Sequence, residues 1–124
     1  MKTIIYICGA YNLFFAFFHS GFWKMFKWKD DLKNLHPDNK AIMQCLNVHL
    51  IYYLLFVAVI CIVFPAELAN TALGNAFLLG CSIFWLLRTV NQFIFFKSEG
   101  FMKSLILVIF LLAGAVLFAL PLFI

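Results

Sequence analysis

Histidine, arginine and amide side chains set inside long apolar stretches are the residues of this chain that can do chemistry. Asn12 and His19 fall in the first stretch, Gln44, Asn47, His49, Tyr52 and Tyr53 in the second, and Arg88, Asn91 and Gln92 in the third. The fourth carries only Ser104 near its start and Gly114 between alanines. Polar groups surrounded by hydrocarbon are costly, so their positions are informative about function. Arg88 is the most expensive, at about 2.5–3.5 kcal/mol for a helix centre even on lenient scales. Its planar fork suits an anionic or carbonyl oxygen. Histidines supply hydrogen-bond donors, or ligands for a haem or a metal.

Spacing groups these residues. Asn12 and His19 are seven apart and share a helical face, as do Cys81 and Arg88; Arg88, Asn91 and Gln92 form an i, i+3, i+4 cluster. His49 shares a face with Cys45, Tyr52 and Tyr53, whereas Asn47 points the other way and groups with Gln44. At about 1.5 Å per residue, His19, Asn47, His49, Arg88 and Asn91 fall ~8–12 Å from one membrane boundary and Asn12 at ~20 Å. Three helices therefore place polar side chains in one slab.

Helices long enough to carry that slab are written in the composition. The chain is 66% hydrophobic and 11% charged, against about half and about a quarter in a soluble domain. Four apolar segments, approximately 3–25, 41–64, 68–96 and 104–124, each exceed the ~20 residues needed to cross a ~30 Å hydrocarbon core. Backbone groups in lipid must be satisfied internally, so such runs are helices, and the ten-residue alternation of a membrane barrel is absent. The expected fold is an all-α membrane protein, a four-transmembrane-helix bundle forming a single domain over residues 1–124. The polar content of the first three segments leaves the fourth as the most lipid-exposed or oligomer-forming helix. The first segment ends in Phe18, His19, Ser20 and Gly21 with no A-x-A cleavage pattern, so it reads as a retained helix.

Loops fix the expected orientation. Residues 24–40 hold five lysines and residues 97–103 two more, while the opposite side has Lys2 and Glu67. The positive-inside tendency places the lysine-rich loops in the cytoplasm and both termini outside. His36 and Pro37 interrupt any helix, Asp38 and Asn39 offer capping chemistry for the second span, and Asn70 or Thr71 for the third. Lys97 to Gly100 forms a tight connection. Trp23, Phe26, Trp28 and Leu32 with interleaved lysines suit an interfacial anchor, or a docking surface for a cytoplasmic partner.

Several classes are excluded. The net charge of +4 comes with no nucleic-acid-binding motif. Cys8, Cys45, Cys61 and Cys81 form no C-x-x-C pair and read as small packing residues. Ser82 stands without a nucleophile motif, which disfavours hydrolysis and acyl transfer. No carboxylate lies within the four segments, which disfavours a cationic-drug exporter built on a membrane glutamate and leaves Arg88 to a carbonyl, a lipid phosphate, a loop aspartate (Asp30, Asp31 or Asp38) or an anionic ligand.

Three readings fit. The preferred one is noncatalytic binding of a lipid, quinone or other amphiphile by His19, His49, Tyr52, Arg88, Asn91, Gln92 and Asn12. The second is a redox subunit whose His19 and His49 ligate a haem or a metal. The third is an accessory subunit of a larger membrane complex, or a homo-oligomer, whose polar slab fixes packing. The stretch Phe18–Leu35, where Gly21 precedes Phe22, Trp23, Lys24 and an amphipathic piece, resembles the end of the first helix in the DoxX-like proteins. The resemblance implies a small four-helix bacterial membrane protein, with some relatives associated with quinone-linked oxidoreductases. Tyr11 and Asn12 stand where that family has an arginine, so no functional residue is carried over.

Overall fold

Lipid-length apolar runs become four long helices in the computed structural model, which describes residues 2–96 and 101–123. They are α1 (Lys2–Ser20), α4 (Pro37–Val63), α6 (Ala72–Phe95) and α7 (Phe101–Phe123), all long and apolar enough to cross a membrane. Three short helices intervene: α2 (Phe22–Met25), α3 (Trp28–Asp31), followed by a 3-10 turn over Leu32–Asn34, and α5 (Pro65–Asn70). No strand occurs among the described residues. The expected connection from Lys97 to Gly100 lies outside them. Large apolar side chains face outward along the long helices; Phe17, Phe93 and Ile106 are 68%, 64% and 64% exposed. Such surfaces are costly in water and neutral in lipid. The chain is a helical, multi-pass membrane protein by length and composition of its spans.

Helix ends depart from the sequence expectation for local reasons. The first span stops at Ser20, not Met25, because the chain turns at Gly21. The second begins at Pro37, four residues before the expected start. Proline has no N–H to lose and its fixed φ suits the first helical position. The cap is His36, whose ring Nδ1 accepts the Asp38 N–H at 3.1 Å. The expected third span is divided at Thr71, which is extended (φ −114°, ψ 154°) and caps α6 by accepting the Gly74 N–H at 2.9 Å. Its hydroxyl donates in turn to Glu67 O at 2.7 Å. The backbone of α5 passes so close to Gly74 that a Cβ there would lie 2.5 Å from both Glu67 O and Leu68 O.

The chain divides into two compact units, Met1–Cys8 with Cys61–Ile124, and Gly9–Ile60. In the first, α6 packs on α7 along Leu78, Cys81 and Trp85 of one and Val108, Leu111, Ala115 and Phe118 of the other, all buried. Ser82 Oγ donates to Ala115 O at 2.7 Å, Gln92 Nε2 to Ser104 Oγ at 3.5 Å, and the Cys8 thiol to Leu117 O at 3.3 Å. The fourth span is as buried as the second and third, 28% of each. It is therefore not the most exposed of the four, which corrects one half of the expectation that it is the most lipid-exposed or oligomer-forming helix: small residues Gly114 and Ala115 let α7 approach α6 with Ser104 as its one polar side chain in the contacts given above. In the second unit, α1 and α4 are joined by side-chain hydrogen bonds that belong to the site below.

Candidate interfacial binding site

The polar end of α1 and the start of α4 converge on a groove built by a backbone reversal. After Gly21, one turn of helix α2 forms, with Gly21 O accepting the Lys24 and Met25 N–H groups at 3.2 and 2.8 Å. Lys27 then adopts the left-handed conformation (φ 51°, ψ 46°), alone among the described non-glycine residues. An α-helix would leave Trp23 and Trp28 about 140° apart around the axis. The reversal at Lys27 instead returns Trp28 to Trp23, with ring centroids 5.4 Å apart, and to Phe22 at 5.9 Å. Lys27 O accepts the Asp30 and Asp31 N–H groups, starting α3, and Leu32 drops inward to 3% exposure.

The second wall comes from α4. Its 27 residues span about 40 Å at 1.5 Å per residue, more than the hydrocarbon thickness. Gln44 lies about 28 Å from Val63 along the axis, close to the ~30 Å thickness of a hydrocarbon core. Trp23 Nε1–H donates to Gln44 Oε1 at 2.9 Å, and Gln44 Nε2 donates to Lys40 O at 3.4 Å. This chain of bonds holds the indole ring and the first turns of α4 together. The resulting cavity, about 510 Å³, is lined by Trp23, Lys24, Trp28, Lys29, Leu32, Lys40 and Gln44. Trp23, Trp28 and Leu32 give it aromatic and aliphatic lining, and its charged residues are three lysines. No carboxylate lines it. Such a groove can hold an apolar body below and an anionic or strongly polar head above.

Residues singled out by type and spacing lie as follows. His19 is half-buried; its Nδ1–H donates to Asn47 Oδ1 at 3.1 Å, and Asn47 Nδ2 donates to His19 O at 3.0 Å. Asn12, 1% exposed, has an Oδ1 that meets no donor among the described residues. His49 is exposed on α4, with Nδ1–H donating to Cys45 O of its own helix at 2.8 Å. Tyr52, on the same face, is 70% exposed. In the other unit, half-buried Arg88 donates from Nη1 to Gln92 Oε1 at 3.2 Å and lies over the Phe96 ring, 5.0 Å from its centroid. Gln92 is fully buried and Asn91 exposed.

His19 and His49 are therefore not a facing pair. His19 is taken by Asn47, which sits about 200° around α4 from His49. Equal depth along a helix says nothing about rotation around it. A single haem or metal held by both rings has no support in this arrangement, and no group of three or more His, Cys, Asp or Glu among the described residues is placed to hold a metal ion. Of the groove residues, Gln44 stands out as a polar group in an apolar stretch, whereas Lys24, Trp28, Lys29 and Lys40 escape such a search because they lie in the polar segment between the first two stretches. The Trp–Lys pattern of 23–32 was the available signal. Nothing local pairs it with Gln44. No family model, no curated protein and no solved structure matches the chain.

Proposed function

We propose that the protein is a four-helix membrane bundle, a noncatalytic module that binds the head of a lipid, quinone or related amphiphile at its lysine-rich boundary. The single observation that carries the reading is the groove itself, with two tryptophans, Leu32 and three lysines lining one cavity of about 510 Å³. Tryptophan and lysine together are the side chains suited to the headgroup zone. The cavity lies within the usual size range for small-molecule sites. By the positive-inside tendency this boundary is the cytoplasmic one, with both termini outside. The DoxX-like resemblance of Phe18–Leu35, which covers this same segment, adds the quinone to the candidates.

Native mass spectrometry of gently extracted protein tests the reading. The wild-type chain should retain an amphiphile through detergent exchange, and Trp28→Ala or Gln44→Leu should release most of it. His49→Ala, far around α4, should retain as much as wild type. Absence of any retained amphiphile, or equal retention in all four proteins, sinks the proposal.

A further inference from the structure

We infer that the groove selects an anionic head, the phosphate of a membrane phospholipid, by charge. The inference rests on the groove being an amphiphile site and names the chemistry of its occupant. Two neutral donors at the groove are already engaged. Trp23 Nε1–H is given to Gln44 Oε1, and Gln44 Nε2 bonds Lys40 O. Lys24, Lys29 and Lys40 line the cavity in addition. None of these three has an ion-pair partner among the described residues. Of the neighbouring carboxylates, Asp30 pairs with Lys33 at 3.4 Å, Asp38 lies 3.8 Å from His36 Nδ1, and neither they nor Asp31 line the cavity. Concentrated positive charge with no lining carboxylate stabilises a net negative guest. An uncharged quinone carbonyl gains little from it. The source must be a lipid because Trp23, Trp28 and Leu32 line the cavity with apolar side chains that a free phosphate leaves uncovered.

The test loads the full chain in detergent with equimolar phosphatidylglycerol and phosphatidylcholine of matched acyl chains and reads the adducts by native mass spectrometry. Wild type should favour phosphatidylglycerol by roughly tenfold, the order expected when several lysines act through a partly screened field. The K24Q/K29Q/K40Q variant should fall to near parity, and the corresponding triple arginine variant should keep the preference, which separates lost charge from lost fold. Equal retention of both lipids by wild type overturns the inference while leaving the groove as an amphiphile site. Retention of neither overturns both. A preference that survives in the glutamine variant, or displacement of the lipid by inorganic phosphate at constant ionic strength, also overturns it.

Discussion

At the residue scale, Asn12 and Asn47 show that a polar residue in a span has no fixed meaning. Both are buried, at 1% and 6% exposure. Asn47 spends its amide twice on His19, once from Nδ2 and once at Oδ1. Asn12 leaves an oxygen with no donor among the described residues. Interhelical hydrogen bonds in membranes are worth about 0.6 kcal/mol on average and up to about 1.7 kcal/mol, whereas an unsatisfied buried acceptor costs about 1–3 kcal/mol. Opposite signs follow for the same substitution. Asn47→Leu should lower stability in detergent by about 1–2 kcal/mol, and Asn12→Leu should raise it by about 1 kcal/mol. Reversible unfolding in a mixed-detergent titration measures both. Destabilisation by Asn12→Leu would mean that its oxygen has a donor after all, such as an internal water.

Among the elements, the junction of α5 and α6 depends on one glycine. Gly74 has ordinary helical dihedral signs, so its need is for space, since a Cβ would strike Glu67 O and Leu68 O. Those are backbone atoms, which cannot swing aside as a flexible side chain would. Gly74→Ala should therefore cost about 3 kcal/mol or displace α5. Gly80, one and a half turns on, would meet nothing within 4 Å. Gly80→Ala should be neutral or stabilising by up to about 1 kcal/mol. Thermal unfolding of the two variants side by side checks the contrast, and equal effects would contradict the close approach. Neither glycine stands out in the sequence, because closeness to α5 is set by the Thr71 turn and the way α6 folds back on it.

For the whole molecule, the testable property is orientation. Lysine-rich connections on one side and few charges on the other predict that both termini leave the cytoplasm. Alkaline phosphatase fused after Ile124 should be active in a bacterial host, and a green fluorescent protein at the same position should be dark. The reverse pattern would place the groove on the outer face and remove the cytoplasmic assignment.

Four long apolar helices were legible in the order of amino acids because lipid imposes a local requirement: about 20 apolar residues, with every backbone bond made inside the run. Turn residues such as Pro37 and Thr71 marked where the runs begin to within a few positions, since capping is also local. Who meets whom was not legible. The rotation of α4 that gives Asn47 to His19 and leaves His49 outside is a tertiary matter. So is the left-handed backbone at Lys27, a residue with no intrinsic preference for it, which folds Trp28 against Trp23 and opens the groove. Hydropathy depends on a residue's own side chain and near neighbours, whereas a binding surface depends on residues twenty positions apart arriving together, and only packing decides that.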